Sequence, residues 1–324
     1  MTRRARPAAP RTRETAVNLR VTAQTQSDTV IRYMQQQTTQ LAMYQNQVSS
    51  GQKIVAPSDD PANYPAFVQA QAASQRYDMY GQTISSATTD LNASAAALGT
   101  VNDALTQAKT LAQEGINSTT DASGYSALAT EVDGLVNQVL GVANTQVNGK
   151  YVFGGTATDT QPFQMGTNAS GTSTVTYQGS NAPAQVLIGQ GQTVDTKYAG
   201  NQVFQQSGGD VFQALIGLRD TLRDTTLSGP AKAQALTQQL SNVDAARDAI
   251  GDTTAVQSSH LATLSVLQTQ TSGQKLSADE RVGDIGGTDY TQAIVKMNEQ
   301  QTALQASMAV ASKLLTPSLL SFIQ

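Results

Sequence analysis

Two adjacent carboxylates and one histidine are the side chains of this sequence whose types most suggest chemistry. Asp59 and Asp60 stand together, and His260 is the single histidine of the chain. A carboxylate pair can bind a metal ion or transfer protons, but such sites need further ligands or a partner base. No His, Cys or third acid accompanies this pair. His260 stands in a segment rich in Ser and Gln, where we expect it to be solvated.

The carboxylate pair has a structural interpretation instead, as part of a turn that caps a helix. The turn consists of Ser58, Asp59, Asp60 and Pro61. Asp60 is predicted to be the N-cap residue, whose side chain accepts hydrogen bonds from the first backbone N–H groups of the helix. Pro61 is predicted to occupy the first helical position, where no N–H is needed. Pro65, four residues further on, is expected to complicate the cap by moving the helix start one turn later.

Motifs for catalysis or cofactor binding are missing from the sequence. There is no cysteine, and therefore no thiol nucleophile or disulfide. No Ser–His–acid set, Walker loop or dinucleotide glycine pattern is present. The segment 283–287, Gly-Asp-Ile-Gly-Gly, precedes a helix but lacks a strand and a lysine, which favours a hinge over a phosphate loop. The sequence predicts no enzyme, no cofactor and no metal site.

Charge and hydropathy exclude two classes of partner. The 324 residues carry a formal net charge of −4, whereas a nucleic-acid partner requires a basic face. No run of about 20 apolar residues occurs, so no membrane partner is expected. Aromatic residues make up 5% of the chain and Trp is absent, a composition that favours long helices meeting along narrow seams over a thick core.

The helices of the chain can be predicted from the spacing of its apolar residues, and this spacing is clearest at the two ends of the chain. The N-terminal heptad seam consists of Val30, Met34, Gln37, Leu41, Tyr44 and Val48. The C-terminal assembly seam consists of Tyr290, Ile294, Met297, Gln301, Leu304, Met308, Ala311 and Leu315, followed by the apolar Leu319, Leu320, Phe322 and Ile323. Each seam contains one glutamine, Gln37 or Gln301, so the two seams are predicted to pair, within a chain or between subunits, with these amides fixing the register. The alternative is that both helices pack on a common core.

The middle of the chain predicts long helices on either side of a short β region. A helix over 66–114 is about 75 Å long at 1.5 Å per residue, more than a compact domain of this size allows. Further helices are predicted over 125–142, 210–222 and 230–267, short strands between 151 and 204, and a polar linker over 272–287. The fold class is mainly α: an elongated antiparallel helical rod with coiled-coil-like terminal helices and a small β-rich central insert.

This pattern predicts four parts. They are a disordered extension over 1–18, a terminal helical assembly domain over 19–56 plus 286–324, a helical rod domain over 57–150 plus 209–285, and a β-rich insert domain over 151–208. Residues 1–18 contain five arginines and differ in composition from the acidic remainder. We therefore expect that translation starts at Leu19 and that residues 1–18 are not translated; the competing interpretation is that this extension serves export or chaperone docking.

Several segments together resemble the bacterial flagellin superfamily. They are Leu19-Arg20-Val21-Thr22, Val48-Ser49-Ser50-Gly51-Gln52-Lys53-Ile54, Gly149-Lys150-Tyr151-Val152-Phe153, Asp289-Tyr290-Thr291-Gln292-Ala293-Ile294 and Gln300-Gln301-Thr302-Ala303-Leu304. Within the superfamily, the Pro-Ser-Asp-Asp-Pro form at 57–61 and the ending Leu-Leu-Ser-Phe-Ile at 319–323 are similar to the flagellar hook-associated protein 3 family. The segment Asn63-Tyr64-Pro65 departs from the usual Ala-rich continuation.

The resemblance implies a structural subunit of the bacterial flagellum at the junction between hook and filament, which templates filament growth. It implies a flagellin-like fold, and it implies export through the flagellar type III apparatus to the extracellular flagellum. The implied partners are other copies in a ring, the first hook-associated protein, flagellin and a flagellar export chaperone. Three alternatives stay open: flagellin itself, a cytoplasmic coiled-coil signalling module, and an enzyme carried on the β insert.

Overall fold

The computed structural model describes residues 23–117, 121–168, 171–189 and 191–315. In these ranges the chain is mainly helical, as the sequence predicts. The helices are α1 (Ala23–Ser50), α2 (Tyr64–Asn117), α3 (Ala122–Ala143), α4 (Gly200–Phe204), α5 (Val211–Arg223), α6 (Gly229–Gly286) and α7 (Tyr290–Leu315).

The strands form four separate antiparallel pairs in the described part of the chain. They are β1 (Gln146–Val147) with β2 (Lys150–Tyr151), β3 (Phe163–Thr167) with β4 (Ser173–Tyr177), β5 (Ala184–Gly189) with β6 (Gln192–Lys197), and β7 (Gln205–Gln206) with β8 (Gly209–Asp210). The first pair turns at Asn148-Gly149, where both residues have positive φ, as a tight hairpin requires.

Contacts divide the chain into two compact units. Unit 1 combines the N-terminal segment up to residue 69 with the C-terminal segment from residue 280, and unit 2 comprises residues 70–279. Both boundaries fall inside long helices, so α2 and α6 contribute residues to each unit. The sequence predicts that the terminal helical assembly domain and the helical rod domain meet at residues 57 and 286. This division stays a prediction.

Unit 2 has a continuous apolar core that helices α2, α3, α5 and α6 share with the strands. Its fully buried helical side chains include Leu98, Val101 and Leu105 of α2, Val132, Val136 and Val139 of α3, Leu215 and Leu218 of α5, and Leu236 and Val243 of α6. The seven-residue spacing of Leu98, Leu105 and Ala112 keeps one face of α2 in this core over the C-terminal part of the helix.

Aromatic rings fill the part of the core beside the strands. Phe163 is fully buried, and its ring centroid lies 5.4 Å from that of Phe204 and 5.3 Å from that of Phe212. Phe153 packs edge-on against Phe204 at 4.8 Å. These rings join the insert to α5, so the insert is packed on the helical core and not appended to it.

Helix α6 is longer than the sequence predicts. The expected polar linker over 272–287 is helical up to Gly286, so that prediction is wrong. Within unit 2, Ser74 donates to Asp279, and Lys275 lies 3.8 Å from Asp78 and 2.9 Å from Asp279. This part of α6 is therefore held by polar side chains of α2 and not by apolar ones. A search for apolar spacing cannot detect such polar contacts.

The β5–β6 hairpin forms a second apolar cluster on α2 and α6. Ile188 and Val194 of the hairpin pack with Ile84, Leu91 and Leu264. At the end of β6, Lys197 pairs with Asp90 of α2 at 2.9 Å, with both side chains largely buried.

The hairpin is also attached to α6 through the histidine of the sequence. The Tyr198 hydroxyl lies 2.7 Å from Nδ1 of His260, and the two rings are nearly parallel. Burial raises the pKa of Tyr198 to about 12, with a further contribution from Asp195. The expectation that His260 is solvated is therefore wrong, because a tyrosine 62 residues away in the chain covers it.

Two buried cations join helices of unit 2. Arg219 of α5 donates to Asp133 of α3 at 2.9 Å and to its neighbour Asp220 at 2.8 Å. Lys232 of α6 is 5% exposed and donates to the carbonyl oxygens of Leu222 and Asp224 at 3.0 and 2.9 Å. The ammonium group thus satisfies carbonyl groups at the C-terminus of α5, where cations are favoured.

Candidate assembly interface

Helices α1 and α7 pack against each other in unit 1. The packed face of α1 is the one that the heptad spacing predicts: Val30, Met34, Gln37, Leu41, Tyr44 and Val48 are all half-buried. The residues that follow these positions, such as Ile31 and Gln35, are exposed. Every predicted seam position of α1 therefore lies on its contact with α7, and none is fully covered.

The packed face of α7 differs from the predicted seam. Met297, Leu304 and Ala311 contribute to it as predicted, together with Ala293, Gln300 and Ser307. The other predicted positions, Tyr290, Ile294, Gln301 and Met308, are exposed. The face is thus shifted by one residue at alternate positions, where the small Ala293 and Ser307 take the places predicted for Ile294 and Met308.

One polar contact connects the two helices at mid-length. The Ser307 hydroxyl donates to Oε1 of Gln37 at 2.8 Å. Within the chain Gln37 therefore pairs with Ser307, and Gln301 is exposed; pairing of the two glutamine amides between subunits stays a prediction. A polar pair in a helix seam, here partly buried, fixes the register of the two helices at some cost in stability.

The two helices are joined at one end by backbone contacts. Gly51 ends α1 with a φ of +71°, and its N–H donates to the carbonyl of Gln47 at 2.9 Å, as a left-handed helix stop does. Gln52 forms an antiparallel bridge with Gly287, and the N–H of Thr288 donates to the Gly51 carbonyl at 3.0 Å. A β-carbon on Gly51 would overlap the hydroxyl oxygen of Tyr290. Glycine is therefore favoured here by its backbone conformation, and a β-carbon would also require the Tyr290 side chain to move.

The turn that contains the paired carboxylates Asp59 and Asp60 follows the end of α1 along the chain. Asp59 accepts hydrogen bonds from the backbone N–H groups of Val55 at 2.9 Å and Ala56 at 2.8 Å, which lower its pKa. The pKa of Asp60 is lowered by hydrogen bonds from the side chain and backbone of Asn63. Each carboxylate satisfies backbone groups of the turn, and Ser58 is exposed.

The helix after this turn starts later than the cap prediction has it. Helix α2 begins at Tyr64, so Pro61 lies in the preceding turn and not at the first helical position. Pro65 is the second residue of the helix, where its missing N–H leaves no intrahelical bond unmade. The N–H of Tyr64 donates to the Asp60 carbonyl at 2.9 Å, so Asp60 still connects the turn to the helix.

Helix α7 exposes large apolar side chains on the sides that α1 does not cover. We call Tyr290, Ile294, Gln301 and Met308, which follow the predicted heptad spacing, the flank stripe. The exposed fractions are 53% for Tyr290, 42% for Ile294 and 46% for Met308. Val295 and Val310 are also about half exposed, at 50 and 52%. Helix α7 includes Leu315, and the predicted seam residues Leu319, Leu320, Phe322 and Ile323 lie outside the described residues.

Searches for two other kinds of site in the described residues are negative. No group of three or more His, Cys, Asp or Glu side chains there is arranged to hold a metal ion. None of the helices in those ranges is long and apolar enough to cross a membrane.

Known proteins with similar sequences are flagellar. Residues 21–158 match the bacterial flagellin N-terminal helical region. The chain is 30% identical over 281 residues to flagellar hook-associated protein 3 of Salmonella typhimurium, a match that covers 81% of this chain and 86% of the relative. It is 28% identical over 283 residues to the protein of the same name from Escherichia coli, covering 82% of this chain and 87% of the relative.

Solved structures show the same fold. The structure of hook-associated protein 3 from Legionella pneumophila matches with a TM-score of 0.59 at 14% identity, covering 67% of this chain and 98% of that one. Bacillus cereus FlgL matches with a TM-score of 0.53 at 21% identity, covering 67% and 99%. Given the extent and identity of the Salmonella match, this chain belongs to the flagellar hook-associated protein 3 family.

Proposed function

We propose that this chain is a structural subunit of the bacterial flagellum that forms the junction between hook and filament and templates filament growth. Membership of the hook-associated protein 3 family supports this role, and a related solved structure is described as a flagellar junction protein. The observation in this chain that carries the proposal is the flank stripe, a heptad-spaced apolar surface that is left open beside the α1–α7 contact.

The flank stripe has the properties of a helix-docking surface. Ile294, Gln301 and Met308 recur every seven residues, the spacing by which a helix presents one line of side chains to another helix. Exposed apolar side chains gain about 25 cal/mol for each Å² removed from water, so covering the stripe favours association. The gain is available only when a second helix arrives, because α1 already contacts a different face.

We infer that the second helix comes from another copy of this chain in a ring. The half-buried seam of α1 and the open stripe of α7 would then become covered together as copies assemble. The first hook-associated protein would adjoin the ring on the hook side and flagellin on the filament side. The chain would reach this position through the flagellar type III export apparatus, with an export chaperone shielding the exposed stripe beforehand.

A double substitution on the flank stripe tests the proposal. Ile294→Gln with Met308→Gln removes its two aliphatic side chains and keeps residues that favour helices. In a strain lacking the native gene, we expect this variant to be made but to leave hooks without filaments, with flagellin monomers released into the medium. The matched control is Val256→Gln with Val266→Gln, which changes two side chains of α6 that are 50 and 67% exposed.

Normal filaments with the stripe variant would contradict the assembly role of the stripe. Labelling of a tagged wild-type chain tests the junction role separately. We expect label at one place between hook and filament; label along the whole filament would instead identify the chain as a filament subunit.

A further inference from the structure

A cleft in unit 2, apart from the assembly interface, has the composition of a ligand site. Its volume is about 230 Å³, and it lies where the β5–β6 hairpin meets α2 and α6. Ile188 of the hairpin and Leu267 of α6 give it an apolar part. Side chains that can hydrogen-bond surround this part: Arg76, Tyr77, Tyr80, Gln192, Gln270 and Gln274.

One hydroxyl group of the cleft wall has no hydrogen-bond partner in the described part of the chain. Thr271 lines the cleft and is 6% exposed, and its Oγ1 is not one of the fully buried unpaired atoms of that part, so the hydroxyl opens on the cleft. A hydroxyl both donates and accepts hydrogen bonds and is therefore available to a ligand. The wall offers this hydroxyl beside the amide groups of Gln192, Gln270 and Gln274.

The charge in the cleft is positive and uncompensated. Arg76 is exposed on α2, and no carboxylate of the described residues lies within ion-pair distance of it. A guanidinium group offers paired N–H donors that match a carboxylate in two parallel hydrogen bonds. The cleft is therefore suited to a ligand with an anionic group on one side.

We propose that this cleft binds a single acidic sugar ring of the uronic acid type. The sugar's carboxylate would pair with Arg76, its hydroxyl groups with Thr271 and the neighbouring amides, and its C–H face with a tyrosine ring. Amides both donate and accept hydrogen bonds, as vicinal hydroxyl groups require. An acidic peptide side chain would use the arginine but leave the Thr271 hydroxyl and the amides unpaired.

Titration of the full chain with methyl glucuronide and methyl galacturonide, followed by two-dimensional NMR of backbone amides, tests the proposal. We expect millimolar binding with shifts at 76–80, 188–192 and 267–274. A separate titration with a uronic acid oligomer distinguishes the two sources of such a sugar. A higher affinity for the oligomer than for the methyl glycosides would indicate the end of a longer glycan, and an equal affinity would indicate a free sugar. No shift in the cleft with any of these sugars would overturn the proposal, and so would equal shifts with acetate.

Two conservative substitutions locate the binding in the cleft. Arg76→Gln should weaken binding of the acidic sugars roughly ten-fold and leave the weaker binding of methyl glucoside unchanged, because only the charged pair is lost. Thr271→Val keeps the volume and should weaken both. The controls are Arg281→Gln and Thr269→Val, which change exposed residues of α6 that do not line the cleft. Unchanged affinity in Arg76→Gln or Thr271→Val, with thermal unfolding as in the wild type, would contradict the proposal.

Discussion

The α1–α7 pair of unit 1 and the core of unit 2 are both helical, but they differ in how completely their side chains are covered. All six seam positions of α1 remain partly exposed, whereas Leu98, Leu105 and Phe163 in unit 2 are fully buried. Free energy of folding comes mainly from apolar area removed from water, so unit 2 should be stable alone. Unit 1 should be the part with low local stability, and its missing coverage is what assembly would supply.

The largest effect should follow from opening the aromatic part of the unit 2 core. Phe163→Ala should destabilise the chain by about 3 to 5 kcal/mol, because it leaves a cavity among three neighbouring rings. Tyr33→Ala removes an α1 ring that is 61% exposed and should change the main unfolding transition little. Urea unfolding followed by circular dichroism measures both. Similar losses from the two substitutions would contradict the difference between the units.

A medium effect is expected from the buried ammonium group of unit 2. Lys232→Met keeps most of the side-chain volume but leaves the carbonyl groups of Leu222 and Asp224 without their donor, and it removes a cation 4.2 Å from the Tyr125 ring. We expect a loss of about 2 kcal/mol. Lys150→Met, at an ion pair with a half-exposed lysine, is the control and should cost under about 1 kcal/mol. An equal melting temperature for the two variants would show that the hydrogen bonds of Lys232 do not stabilise unit 2.

A smaller effect, confined to unit 1, is expected at the end of α1. Gly51→Ala places a β-carbon at a positive φ and against the Tyr290 hydroxyl. Strain at such a position costs about 1 kcal/mol, and the overlap adds to it. Hydrogen exchange of α1 and α7 should accelerate while that of unit 2 stays unchanged.

Two further variants separate strain from overlap. Gly149→Ala also has a positive φ, but no atom lies within 4 Å of the new β-carbon, so it should show the strain alone. Tyr290→Phe combined with Gly51→Ala should restore part of the loss by removing the overlapping oxygen. If Tyr290→Phe restores none of the protection lost in Gly51→Ala, the overlap with the Tyr290 hydroxyl does not contribute to the loss.

The smallest effect should be the pH dependence of the turn at 57–61. The pKa of Asp59 is lower in the folded chain than in the unfolded one, so the unfolded state binds the extra proton first. The contribution of this carboxylate is therefore complete above about pH 4 and is lost as the pH falls below that value. The protection of the Val55 and Ala56 amides, measured relative to their intrinsic exchange rates at each pH, should fall in this range in the wild type. In Asp59→Asn this protection should already be lower at neutral pH and should depend less on acid.

Sequence reasoning identifies the fold class and one of the two packed helix faces. The α1 seam is recognisable because most of the large apolar residues of α1 follow one heptad line, with Ile31, Tyr33 and Met43 outside it. On α7 two lines one residue apart compete, since Ala and Ser also permit close packing. Size alone favours Ile294 and Met308, but contact with α1 selects Ala293 and Ser307.

The features that sequence reasoning missed involve polar partners distant in the chain. The helical continuation of α6 past residue 272 depends on Ser74 and Asp78 of α2, some 200 residues earlier. Likewise, His260 is covered by Tyr198 and Lys232 by carbonyl groups of α5. Apolar periodicity says nothing about such pairs, because each side chain taken alone resembles a solvated one.

The contact between Gln37 and Ser307 has a consequence for the order in which the chain is made. The two residues are 270 positions apart, so α1 leaves the ribosome long before its partner exists. At a synthesis rate of about 5 to 20 residues per second, the wait lasts roughly 15 to 50 seconds. During that time the apolar side chains of α1 that need protection are its seam line and Ile31, Tyr33 and Met43, because the rest of its surface consists largely of Gln and Thr. A helix with a broader apolar face would be exposed to aggregation for the same period.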